Sequence, residues 1–106
     1  MLICTTENPP GRKVKDYKGV VWSSVVRSKH LGHDFYAVLK SLKGGDISSY
    51  QNLTNQARAD VLKKLEENAK KQGADAVVGL QFGTTQILPS TIEVWAVGTA
   101  VTLAKK

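Results

Sequence analysis

Cysteine is almost absent from this chain. Cys4 is the single thiol among 106 residues, so no internal disulfide can form. That usage suits a reducing compartment, and the expected location is the cytoplasm. Long apolar runs are missing too. None approaches the roughly 20 residues needed to cross a bilayer, so no membrane partner is expected. The opening residues, MLICTTENPP, have no basic segment followed by a long apolar one, and they do not read as a secretory leader.

The usual signatures of catalysis are lacking as well. There is no serine-centred elbow motif and no Cys–His context for a nucleophilic thiol. The acidic residues are Glu7, Asp16, Asp34, Asp46, Asp60, Glu66, Glu67, Asp75 and Glu93, and nothing in the sequence pairs two of them for acid–base work. A non-enzyme without a cofactor is expected. The glycines of GADAVVG, residues 73–79, lack the spacing of a dinucleotide or P-loop fingerprint. They also follow a helix, whereas phosphate loops lead from a strand into a helix N-terminus.

What is present is one domain, residues 1–106, with 42% hydrophobic and 23% charged residues. The net charge of +6 favours acidic partners, nucleic acid among them, but it is also an ordinary means of staying soluble.

Periodicity orders the chain. Residues 2–6, LICTT, read as a short strand ended by ENPPGR. Residues 14–26 are rich in β-branched and aromatic side chains and read as a longer strand, with Gly19 marking a bulge. Leu31, Phe35, Val38, Leu39 and Leu42 share one face of a helix that Gly44-Gly45 ends. A second helix opens at Ser48-x-x-Gln51 and buries Tyr50, Leu53, Ala57, Val61, Leu65 and Ala69. Its other face carries Lys63, Lys64, Glu66, Glu67, Lys70 and Lys71, in the order that favours helical ion pairs.

Gly73 then caps that helix. In the strand that follows, Ala76, Val78, Leu80 and Phe82 are expected on one face and Val77 and Gln81 on the other. The final strand places Ile92, Val94, Ala96 and Ala100 on one face and Glu93, Trp95, Val97, Val101 and Leu103 on the other. Both faces are largely apolar, so the second needs a cover, either the N-terminal strand or another subunit. Trp95, Val97 and Val101 are therefore candidate interface residues. The order is strand, helix, helix, strand, strand: an α+β fold in two layers, helices on one sheet face. The strands before and after the helices are expected to be parallel neighbours.

Metal-ligand candidates are few. His30-x-x-His33 places two imidazoles on one helix face, with Asp34 and Cys4 as further donors, but no third ligand sits at fixed spacing. A metal role for His30 and His33 is thus an alternative reading, and no metal site is the expectation. Arg58 borders the apolar stripe of the second helix and is expected to form a structural ion pair.

Taken together, Gly44-Gly45, Tyr50, Ala57-Arg58, the run Gly73 to Gly79 and Gly98-Thr99-Ala100-Val101 resemble the YbjQ family, as do Thr5-Thr6 and Tyr17-x-Gly19-Val20-Val21. That family carries a heavy-metal-binding label. The resemblance covers nearly the whole chain. It implies a dodecin-like β-α-β-β subunit with an extra short N-terminal strand, in a small cytoplasmic protein that assembles with itself into a pentamer. It implies no established activity. This chain departs from the family pattern at Ser23-Ser24, His30, His33, Asp46, Leu53 and Gly83, so a polar site built from the family's usual residues there would not be intact.

Overall fold

A computed structural model describes residues 1–28, 48–89 and 91–105. The elements in chain order are β1 (Leu2–Ile3), β2 (Val14–Ser28), α1 (Ser48–Lys71), β3 (Ala76–Leu88) and β4 (Thr91–Leu103). The strands form one mixed sheet in the order β1-β3-β4-β2, with α1 packed on one face. This is the expected α+β architecture, a β-α-β-β pattern preceded by a short strand. The expected helix through Leu31 and Leu42 lies outside the described residues.

Helix α1 is held by small and branched side chains at helical spacing. Ala57, Val61, Leu65 and Ala69 are fully buried against Val21, Val94, Ala96 and Ala100 of the sheet. Tyr50 and Leu53, expected on the same stripe, lie outside the described side chains. Ser23 sits under the helix and donates its hydroxyl to the Val61 carbonyl at 2.8 Å, which satisfies a buried polar group. The helix ends as expected. Gly73 has φ of 81°, its N–H reaches the Lys70 carbonyl, and the Ala74 N–H reaches the Ala69 carbonyl. This pair of bonds is a Schellman cap, with Ala69 and Ala74 both buried in the same core.

Two sequence expectations need correction. First, β2 and β3 run in the same direction but are not neighbours. β4 lies between them and pairs antiparallel with both. The short connection from β3 to β4 makes a hairpin the nearest pairing, so β4 takes the central place and β2 the edge. Second, the faces of β3 do not alternate uniformly. Gly79 takes φ of 64°, and the register slips between Val78 and Gln81. That bulge puts Val77 and Leu80 together on the helix side, while Ala76 and Val78 turn to the other side with Val101. The bulge expected at Gly19 is present, with φ of 109° and a register slip from Tyr17.

At its N-terminal end the face away from α1 is covered from within the chain. Cys4, Val14 and Leu103 pack on Ala76, Val78 and Val101. The segment after β1 is tied down by Cys4 N–H to the Val77 carbonyl, Leu80 N–H to the Cys4 carbonyl and Gly79 N–H to the Thr6 carbonyl.

Candidate functional site: the open sheet face

Directly paired residues share a face, so the register fixes what the uncovered side of the sheet presents. Val20, Trp22, Ser24 and Val26 of β2 lie opposite Thr99, Val97, Trp95 and Glu93 of β4. On the far side of β4, Gln81, Gly83 and Thr85 of β3 lie opposite Val97, Trp95 and Glu93. The result is an apolar band with two tryptophans and a polar border. Trp22 is 66% exposed, Val20 59% and Val26 52%. Tyr17 continues the row, equally open. Such a contiguous patch is unusual on a lone soluble domain.

Trp95 and Val97 are half-buried in the middle of this band. Trp95 lies flat because β3 presents a glycine beneath it: a Cβ on Gly83 would collide with the indole. Val101 is fully buried and belongs to the part of the face covered by Cys4, Val14 and Leu103.

The sheet edge next to this face is closed by the helix. Lys64, Asn68 and Gln72, one turn apart on α1, donate to the Ser24, Trp22 and Val20 carbonyls at 3.2, 2.9 and 3.4 Å. These carbonyls point outward from β2, and a side-chain ladder of this kind blunts an edge strand against strand addition. Trp22, Asn68, Lys71 and Gln72 line a shallow cleft of about 340 Å³ where face meets edge. On the other side of the sheet, β3 beyond Leu80 has β4 as its strand partner among the described residues, and Phe82, Ile87 and Leu88 are exposed there.

The metal candidates are not assembled by the described residues. His30, His33 and Asp34 lie outside them. Cys4 is half-buried, its sulfur 3.4 Å from the Thr6 hydroxyl. Among the described residues no group of three or more His, Cys, Asp or Glu side chains could hold an ion. Arg58 is exposed, and among the described residues its guanidinium reaches Asn55 Oδ1 at 3.4 Å rather than a carboxylate. The strand-to-helix ion pair is made instead by Arg27 and Asp60, 2.6 Å apart.

The charged helix face is solvated as expected. Lys70 pairs with Glu66 at 3.7 Å, and the N-terminal amine of Met1 adds a contact to Glu66 at 3.1 Å. That amine, first by hydrogen bond and then by charge, holds the Glu66 carboxyl below its ordinary value, with Lys70 adding a smaller pull in the same direction.

Sequence reasoning missed Trp22, Val20 and Tyr17. The signal was available in β2 as an alternation of apolar residues with Val21, Ser23 and Val25, but both faces of that strand are apolar enough to hide which one packs on the helix.

The whole of this arrangement has relatives. A family model described as "Putative heavy-metal-binding", YbjQ_1, matches residues 1–104. The chain belongs to the YbjQ family. A UPF0145 protein from Fervidobacterium nodosum is 45% identical over 105 residues, covering 99% of this chain and 97% of its own length. One from Vibrio campbellii is 46% identical over 103 residues, with 97% and 99% covered. One from Thermotoga maritima is 45% identical over 105 residues, with 99% of each covered. A crystal structure of a protein of unknown function from Pediococcus pentosaceus, in the DUF74 family, superposes with a TM-score of 0.70 over 98% of each chain. At 22% identity that likeness speaks to the YbjQ fold alone.

Proposed function

We propose that this YbjQ-family protein is a self-assembling binding or structural module of the cytoplasm rather than an enzyme, and that the open sheet face is covered by further copies of the chain. The observation that carries the reading is the apolar band of Tyr17, Val20, Trp22 and Val26 around Trp95 and Val97. Fully covering each large apolar side chain is worth about 1.5–3 kcal/mol, so the band supplies several kcal/mol to a contact between subunits. A second copy is favoured as the occupant because the band runs on without a break from the part of the same face that the chain's own N-terminal segment covers. The dodecin-like, five-membered ring implied by the family resemblance is the assembly we assign.

Native mass spectrometry tests it. A subunit of 11.5 kDa gives 5 × 11.5 = 57.5 kDa for the ring. A species at the subunit mass alone, at micromolar concentration, contradicts the reading.

The family description favours a second reading, a heavy-metal site using His30 and His33 with Cys4 or Asp34. Zinc titration of the untagged protein separates the two. The main reading expects no stoichiometric submicromolar site. A site of that strength lost in His30→Ala or His33→Ala establishes the second.

A further inference from the structure

Gly83 stands inside β3 with no backbone reason to be glycine. Gly11, Gly19, Gly73 and Gly79 take positive φ, and each has open space where a Cβ would stand. Gly83 is the reverse case. Its φ is not positive, and the place of a Cβ is taken by the Trp95 indole, with Cζ2 and Cε2 closest. Glycine within a strand weakens it, because it gives up more backbone freedom and packs no side chain. The use of this glycine is therefore the room it leaves for another residue.

That residue sits in the middle of the open face. β4 lies between β2 and β3, and Trp95 is opposite Ser24 of β2 and Gly83 of β3. The row across the sheet is small, large, small. The indole leans over the glycine and is half-buried there, whereas Trp22 on the edge strand is 66% exposed. A ring lying flat offers its broad face at low height. Raised on the central strand, it would form a ridge through the band. Well-packed interfaces match protein interiors in density, so a ridge would hold a covering surface off Val20, Val26 and Val97 as well.

We infer that Gly83 is a positioning residue for self-assembly: it lays Trp95 flat, and the flat indole lets a second copy close on the band. This role rests on the assembly reading above and names what keeps that face fit to be covered. A Cβ at residue 83 turns the ring outward, because sheet backbone lies beneath it and the outer side is open. The subunit keeps its fold and loses its contact.

Light scattering coupled to size exclusion, over a series of subunit concentrations, tests it. The samples are wild type, Gly83→Ala, Trp95→Leu and the double variant, with circular dichroism on each. Gly83→Ala should stay folded and need about tenfold more protein to assemble, the scale expected of overpacking at a close-fitted surface. In the Trp95→Leu background the same change should shift assembly by less than about twofold, because the ring atoms that meet the Cβ are gone. A Gly83→Ala variant that assembles as wild type does overturns the role and leaves the assembly reading standing. One that fails to fold overturns it too, since the clash then falls on the core. An equal loss in the Trp95→Leu background shows that the effect does not pass through the indole, and overturns it as well. A wild type that is monomeric at every concentration overturns the assembly reading itself, and this role with it.

Discussion

Gly83 is the residue on which the open face turns. It leaves room for the Trp95 ring to lie across β3, and any Cβ there meets the indole. Gly83→Ala should therefore lift the ring and cost about 1–3 kcal/mol, the usual range for overpacking. A urea unfolding curve gives the magnitude, and a shift in tryptophan emission reports the ring's move. An unchanged curve and spectrum would mean that Trp95 does not rest on Gly83.

Glu66 is a second residue with a readable consequence. Its carboxyl is lowered in the folded chain by the Met1 amine, chiefly through their hydrogen bond. A carboxyl lowered on folding stabilises above its unfolded pKa, and that contribution fades as pH falls through the folded one. Acid unfolding of Glu66→Gln should lose stability less steeply between neutral pH and that range than wild type does. Parallel curves would show that the amine contact makes no difference in solution.

At the scale of elements, glycines distinguish strain from space. Gly73 caps α1 and Gly79 makes the β3 bulge, both with positive φ and both with open space where a Cβ would stand. Only backbone strain opposes alanine at either position, so Gly79→Ala should cost about 1–2 kcal/mol. Chemical denaturation measures it, and a neutral result would mean the strand relaxes to even alternation.

That same pair shows how much of the fold was legible. The Gly73 cap could be read because lysines end the helix pattern and β-branched residues begin at once. The four-residue spacing of Ala57, Val61, Leu65 and Ala69 made α1 equally plain. The faces of β4 were also readable, since Ile92, Val94, Ala96 and Ala100 alternate cleanly. The Gly79 bulge was not, because glycine in a strand does not announce its φ, and one slip reverses every assignment before or after it. Strand order was hidden for a related reason: β2 and β3 do run in the same direction, and only the hairpin places β4 between them. Of the candidate site, Trp95 and Val97 stood out as apolar residues on a second face. Trp22 did not, because its exposure depends on β2 lying at the edge.

The described molecule is long and thin, 54 × 23 × 16 Å, with a radius of gyration of 17.1 Å. A compact domain of about 100 residues has a radius nearer 13 Å. The strands are 13 and 15 residues long, and α1 packs on one face of their sheet while the apolar band lies on the other, where its large side chains stay exposed in a single subunit. The proposed ring would also multiply charge. Five subunits of +6 give 5 × 6 = +30, enough to attract nucleic acid by charge alone. Binding of labelled DNA or RNA should be weak, indifferent to sequence and lost by about 200 mM salt. Retention of one sequence at that salt would promote a nucleic-acid-associated ring from a side effect to the function.

The covering of the band by other subunits is the central claim, and Trp95→Asp tests it most directly. An aspartate in the middle of a covered apolar surface would be a buried, unpaired charge costing several kcal/mol. Light scattering coupled to size exclusion, run on wild type and Trp95→Asp with circular dichroism as a check on folding, gives the answer. The account predicts an assembled wild type and a variant that dissociates to subunits or fails to fold. A monomeric wild type, or a folded Trp95→Asp variant that stays fully assembled, would contradict it.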